Sequence, residues 1–539
     1  MEKIQTIRKL FIASDEHVSQ TTELLEMALN ELRKQHNGTI IGTKPEVDYQ
    51  QVFQQSRFPQ HMQGEAETLK AILALYQGVG LWGHPQMQSN VVPEPTRISI
   101  VTEALATRYN ENSIWDHYGM SAARSEVMAT GMLADLIGFD KSRAGGIFTF
   151  GGTGCNLYAS RIGIEKADPD AKYTGLRDRV VFFCSDVSHY SIKSSAIWTG
   201  VGLDNICVIP TNDDNTMRVD LLEQAMDKAI ASGAKIGCIY ATMGTTDAFG
   251  IDPLREIVAL RDKIAATLDY PVHVHADAVI GWPYLTFKGD AALDKLSDKL
   301  QRSIRSIVSK MVELRYADSV GIDFHKTGWG PYLCSAFVVK SSHDFNLLKK
   351  YKSDMPYLYH GDGYQPGTFT LESSRPNYAQ KALANMMVMG KDGYESLILY
   401  LLSVADYFRI QIEECPDITL LNRDNPAFVT DLRFYPEGKY DPQGKLWYDR
   451  ELHDQVPASF TDNINQYNRA IAHYVLREAE QHGTPIVSFT ESYKTTHEQR
   501  NLLGIKSYPM SPFTEESDMD AVLAQLYRAK RAIDAQGHT

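Results

Sequence analysis

The sequence predicts an α/β protein: a mostly parallel seven-stranded sheet in a large domain, followed by a small α+β C-terminal domain. Three observations carry this. Seven short apolar runs recur at residues 147–150, 180–184, 206–209, 236–242, 272–276, 320–324 and 336–339. Helix-like segments lie between several of them, as in crossover units that join parallel strands. The runs are mostly apolar rather than strictly alternating, as expected of strands covered by helices on both faces.

Taken in order, residues 1–105 read as a helical N-terminal segment without strand partners, which needs a larger body to pack on. In residues 21–35 (TTELLEMALNELRKQ), Leu24, Leu25, Met27, Leu29 and Leu32 fall largely on one side of a helix, and residues 65–77 give a second. A proline-rich break follows at 91–95. The strand–helix rhythm fills 106–378. Its first helix, 121–137, places Met128, Met132 and Leu136 at i, i+4 and i+8, and the helix over 220–232 opens with an Asp-x-x-Glu arrangement like a capping box. Residues 287–313 form a long segment between two of the runs, with a helix over 295–314. Beyond 379 the pattern changes to a long helix over 378–415, strands near 427–434 and 485–489, and a terminal helix over 518–535. No internal repeat, low-complexity tract or long linker is visible.

Composition narrows the function classes. The chain has 539 residues, 43% hydrophobic and 22% charged, ordinary for a globular protein with a sizeable core. A net charge of −13 disfavours nonspecific binding to nucleic acid or to anionic membranes. The six cysteines (155, 184, 207, 238, 334 and 415) form no C-x-x-C pair, and several sit in apolar runs, so buried free thiols are expected. The first residues carry too short an apolar run for a signal peptide, and no stretch reaches membrane-span length. A cytoplasmic protein fits.

Five constellations could carry chemistry. Gly151-Gly152-Thr153-Gly154-Cys155-Asn156 follows a strand and precedes a helix, where backbone N–H groups can surround a phosphate; it matches neither the ATP-type P-loop nor the dinucleotide fingerprint. Ser185-Asp186-Val187-Ser188-His189-Tyr190 ends a strand, where catalytic groups gather in open α/β sheets. Gly244-Thr245-Thr246 ends another, and its hydroxyls either bond a ligand or cap the loop. In His273-Val274-His275-Ala276-Asp277, strand alternation puts both histidines and the aspartate on one face, which admits a metal site or an aspartate at a strand end with histidine behind it. The fifth is Lys326, just past the strand ending Asp323-Phe324-His325. A lysine there loses water, which lowers an amine's pKa and frees it as a nucleophile. A phosphate loop, a histidine able to lie flat on a ring, a strand-end acid and a strand-end lysine together suit pyridoxal 5'-phosphate.

The ordered set GGTGCN, SDVSHYS, GTTDAFGIDP, HADA, DFHK resembles the group II pyridoxal-phosphate-dependent amino-acid decarboxylases, the glutamate and aromatic-L-amino-acid decarboxylase type. The resemblance runs from His84-Pro85 into the C-terminal domain. It implies the type I fold of pyridoxal-phosphate enzymes (aspartate-aminotransferase-like). It also implies a homodimer with interface active sites, the segment 1–105 packing on the dimer partner, and an amino-acid substrate. By position, Lys326 would hold the cofactor as an aldimine, Asp277 would pair with the ring nitrogen and His189 would stack on the ring. Gly152, Thr153, Gly154 and His325 would help hold the phosphate, and Thr246 would lie near the ring oxygen. Val279 stands two places after the aspartate, against the ring face, where relatives usually have a smaller residue.

Further on, FTLESSRP resembles the segment whose arginine, here Arg375, meets a substrate carboxylate through two parallel hydrogen bonds; a structural ion pair is the alternative. Met355-Pro356-Tyr357-Leu358 is similar to the family's mobile loop, whose tyrosine returns a proton to Cα, with Tyr359 a close competitor for Tyr357. The expected reaction is decarboxylation of an L-amino acid to an amine and CO2. A carbon–carbon (aldehyde) lyase using the same cofactor and a metal-dependent hydrolase built on His273, His275 and Asp277 remain as rivals.

Overall fold

The protein is seen here in a computed structural model that describes residues 2–36, 39–287, 293, 296–356 and 361–537. Its main sheet contains β1 (Gly145–Thr149), β2 (Val180–Ser185), β3 (Ile206–Ile209), β4 (Lys235–Thr242), β5 (His273–Asp277), β6 (Ser319–Asp323) and β7 (Ser335–Val339). They lie in the order β1-β7-β6-β5-β4-β2-β3. Only β7 runs antiparallel to its neighbours β1 and β6; the remaining pairs are parallel. Each of the seven apolar runs therefore became a strand, and the expected sheet forms.

Burial explains why those runs are mostly apolar. Val180, Phe182 and Cys184 of β2 face one apolar core with Tyr158, Ala159 and Ile162, while Val181 and Phe183 face another with Ile236, Val274 and Val320. Successive side chains point to opposite faces, and both faces are dry. Removing each large apolar side chain from water contributes about 1.5–3 kcal/mol, so a polar residue on either face would cost at least as much. The helices that cover the sheet include α1 (Arg124–Ile137), α2 (Gly152–Ala167), α3 (Ser191–Trp198), α4 (Val219–Ala231), α5 (Leu254–Ala265) and α6 (Asp298–Met311). Helix α6 is the helix expected in the 287–313 segment.

Beyond it, α7 (Ala379–Glu414) leads to a second, smaller sheet. Gly390 interrupts α7 with φ 58°, so the single long helix of the sequence reading is two helices meeting at a kink. The small sheet contains β8 (Ile418–Leu420), β9 (Thr430–Phe434), β10 (Ile486–Thr495) and β11 (Asn501–Ser507), covered by α8 (Ala458–His482) and α9 (Glu516–Asp534). Strands β8 and β11 were not anticipated. The first is three residues long, and the second mixes Gly504 and Lys506 into an otherwise apolar run.

The N-terminal segment departs from its expected role in one respect. Met87–Gln88 pairs in parallel with β10, so the 1–105 segment completes the small sheet of its own chain. Gln88 Oε1 accepts from Ser507, and Gln86 Nε2 donates to Asp518 at 2.9 Å. The helix Asp15–His36 still leaves Leu25, Met27 and Leu29 exposed, and Phe53 and Phe58 are 84% and 99% exposed. In α1 the buried face is also not the one expected. Met128 and Met132 are exposed, and the core side presents Ala129, Leu133 and Ile137 together with the charged Glu126. All six cysteines are free; five are buried and Cys207 is half-buried.

Candidate active site

The parallel strands β1, β2, β4, β5 and β6 all end on the same side of the sheet, and the singled-out residues follow those ends. Gly151 turns the chain at the end of β1 with φ +105°, and Gly152 opens α2. His189 follows β2, Thr246 follows β4, Asp277 closes β5, and Lys326 stands three places past β6. Gly152, Thr153, His189, Thr246, Asp277, Val279, His325 and Lys326 all line one cavity of about 310 Å³. Gly154 does not. It sits inside the first turn of α2, where a Cβ would come 2.5 Å from Thr149 Oγ1. Its place is to let α2 close onto β1.

Lys326 departs from the simple desolvation argument. Burial works against its ammonium form, but Asp323 Oδ2 lies 2.8 Å from Nζ, and with Asp277 it holds the amine above its ordinary value. Asp323 is fully buried. Burial would raise its carboxyl, yet Lys326 and His325 hold it below the usual carboxylate range, and Ser335 Oγ donates to Oδ1 at 2.5 Å. The site thus contains two carboxylates.

Asp277 is fixed by α2. Asn156 Nδ2 donates to Asp277 Oδ2 at 3.2 Å and to Ser191 Oγ at 2.8 Å. Ser191 in turn lies 2.8 Å from His189 Nδ1, and its backbone N–H donates to the same nitrogen at 3.2 Å. That bond leaves the His189 proton on Nε2. Burial also lowers the pKa of this imidazole, only partly opposed by Asp277, so the ring is a neutral, flat surface. His325 is pinned at Nδ1 by Cys334 O (3.1 Å) and faces the Tyr332 ring, centroids 4.3 Å apart. Asn156, Ser191, Asp323 and Tyr332 were given no role from sequence, although Asn156 and Asp323 stand inside the motifs GGTGCN and DFHK.

A metal centre at His273 and His275 is not built. Both imidazoles lie 2.8 Å from the Ser319 hydroxyl, and His273 Nδ1 lies 3.1 Å from the Lys166 ammonium, which would repel a metal cation. Burial, chiefly, holds His275 at about 3 and pushes His273 well below its ordinary value. These are structural histidines behind Asp277. Among the described residues no group of three or more His, Cys, Asp or Glu side chains could hold a metal ion.

Arg375 also departs from expectation. Its guanidinium does not line the cavity. It meets Glu126 through two parallel bonds (Nη2–Oε1 2.6 Å, Nη1–Oε2 3.1 Å) and donates to the Ser113 and Phe148 carbonyls. Glu126 further accepts from the Phe148 N–H at 2.6 Å and from the Tyr364 hydroxyl at 2.8 Å. The carboxylate this arginine needs is supplied by α1, so the ion-pair alternative holds and the substrate clamp is withdrawn. Breaking a buried pair leaves an uncompensated charge. Glu126→Gln is therefore expected to lower the unfolding free energy by about 3–5 kcal/mol, read as a denaturant midpoint shift at constant slope. A midpoint within error of wild type would return Arg375 to the substrate. Tyr357 and Tyr359 lie outside the described residues.

The chain matches the family model described as "Pyridoxal-dependent decarboxylase conserved domain" over residues 52–430. Among curated proteins it is 31% identical over 321 residues to the acidic amino acid decarboxylase GADL1 of Bos taurus, covering 58% of this chain and 57% of that one. It thus spans little more than half of that relative. An L-2,4-diaminobutyrate decarboxylase of Acinetobacter baumannii is 25% identical over 498 residues, covering 88% and 85% of the two chains. Mouse CSAD in apo form superposes with a TM-score of 0.76 at 18% identity, covering 95% of this chain and 99% of that one, a likeness of fold.

Proposed function

Because the chain belongs to the pyridoxal-dependent decarboxylase family, we propose that it binds pyridoxal 5'-phosphate and decarboxylates an L-amino acid to the amine and CO2. The observation that carries this reading is the placement of Lys326, Asp277 and His189 around one cavity, each at the end of a different strand. The residues fit the cofactor. The cradle of Gly151, Gly152 and Thr153 opens α2, and a Cβ on Gly152 would crowd Val279 at 3.1 Å and Asp323 at 3.2 Å. The cofactor supplies an electron sink for the pair released when a bond to Cα breaks.

Each residue then has a task. Lys326 anchors the cofactor and yields its place to the substrate amine. Asp277, held by Asn156, presents a carboxylate to the ring nitrogen and keeps a proton there. His189, neutral and tied back by Ser191, covers one ring face, with Val279 opposite. Thr153 and His325 bond the phosphate, Thr246 lies near the ring oxygen, and Tyr357 returns a proton to Cα. This assigns cofactor binding to residues 106–378 and the small domain to 379–539.

We also read the protein as a cytoplasmic homodimer. Tyr190 and Tyr332, which line the cavity, are exposed, as are Trp198, Leu371, Phe53 and Phe58, apolar surface that suits burial against a second copy. Six free cysteines suit a reducing compartment. Purified protein should gain a visible absorption band with pyridoxal phosphate and release CO2 from at least one member of an amino-acid panel that includes the acidic and diamino acids. A band without CO2 release from any of them would favour the aldehyde-lyase rival.

A further inference from the structure

Asp323 has no task in the reaction as described, yet it is the carboxylate nearest the reactive amine. Its Oδ2 lies 2.8 Å from Lys326 Nζ and 3.5 Å from His325 Nε2, while its Oδ1 accepts from Ser335 Oγ. The side chain is fully buried. It also faces the glycine cradle, because both its oxygens lie within 3.3 Å of where a Gly152 Cβ would stand. The other titratable groups around it are Asp277 across the cavity, His189, Tyr332, Cys155 and Cys334. Lys326 is the cation that balances it.

Loading the cofactor disturbs this balance from two sides. Lys326 can attack a carbonyl only as the free amine, so the ammonium must first lose a proton. The phosphate then brings negative charge to the cradle that Asp323 faces. A carboxylate left there without its cation, in a dry wall, is costly, and such a group takes up a proton instead. We propose that Asp323 is the base that takes the Lys326 ammonium proton when the cofactor is loaded and keeps it as a neutral acid. In balance, an N–H bond of Lys326 breaks and an O–H bond forms on Asp323. The amine nitrogen then bonds to the carbonyl carbon, and the carbonyl oxygen leaves as water with the two remaining amine protons. The residue positions and primes Lys326 and touches no substrate.

This rests on the cofactor reading above, and the test separates the two. In cofactor-free protein, labelling by a limiting amine reagent across pH, read by mass spectrometry at Lys326, gives the amine's pKa. Asp323→Asn should lower it by about one unit or more, because the ion pair goes while burial remains. The infrared difference between pyridoxal-phosphate-loaded and free wild-type protein should gain a carboxylic-acid carbonyl band, absent in Asp323→Asn. In Ser335→Ala, which removes the bond to Oδ1, the band should persist at a shifted position. An unchanged Lys326 pKa in Asp323→Asn, or a band that is absent from wild type or survives in that variant, overturns the proposal. If borohydride fixes cofactor on Lys326 and no acid band appears, only this proposal falls. If it fixes none there, the cofactor reading falls too, and this one with it.

Discussion

Lys326→Ala is expected to abolish turnover, with a loss on the order of 10⁴-fold or more in kcat, while the domain still folds. The size follows from the task. Without the amine the cofactor has no covalent anchor, and no leaving nitrogen remains for the substrate amine to displace. The fold should survive because the lysine lies on the cavity wall, with β6 and β7 packed independently behind it. Its removal strips Asp323 of its cation, but a carboxyl that can take up a proton does not have to unfold the protein. The check is borohydride reduction followed by mass spectrometry. Wild type should carry one fixed cofactor on the peptide containing Lys326, and the variant should carry none while retaining a wild-type circular dichroism spectrum. Equal labelling of the variant would place the anchoring lysine elsewhere.

The fold was legible wherever burial wrote itself into composition. Runs such as VVFFCS and IGCIYAT cannot sit half in water, and each became a strand covered on both sides. The small sheet was harder to read, because β11 carries Lys506 among its apolar residues. There the lysine is satisfied by Asp247 at 2.6 Å, a partner 259 residues away that no local window can see. Gly390 was visible as a residue but not as a break, since a glycine inside a helical pattern is tolerated at a modest cost.

The candidate site was legible where chemistry depends on strand ends, and less so where it depends on who faces whom. Sequence order alone put Lys326, Asp277 and His189 at the ends of separate strands, and the sheet brought them together. It did not show that Asp323, three residues before Lys326, turns its carboxylate onto the amine and reverses the expected direction of its pKa. Nor did it show Glu126. Periodicity in α1 pointed to Met128 and Met132, yet the face that packs carries a glutamate, because Arg375 arrives from 249 residues away to neutralise it. A bidentate arginine looks the same in sequence whether its partner is a substrate or the protein itself.

Asp277→Asn should lower kcat by roughly 10²- to 10³-fold, about 3–4 kcal/mol, with a far smaller change in amino-acid binding. Asparagine keeps the size of the side chain and loses only the charge. The Asn156 amide, which now donates to Oδ2 at 3.2 Å, can be met by the carbonyl oxygen of the new amide, so the local packing has no reason to move. What disappears is the anion that keeps a proton on the ring nitrogen while the electron pair from the broken bond spreads into the ring. That charge is needed most in the transition state, so the loss belongs to kcat and not to KM. The measurement is steady-state kinetics on the best substrate with variant protein confirmed to be fully loaded by its absorption band. A kcat within a few-fold of wild type would remove Asp277 from the ring nitrogen. An equal loss in Asn156→Ala would then be a defect of α2 packing. If instead Asp277→Asn is slow and Asn156→Ala shows a partial loss of kcat with KM unchanged, Asn156 acts through the carboxylate it holds, and the order of effects follows the chain of bonds from α2 to β5.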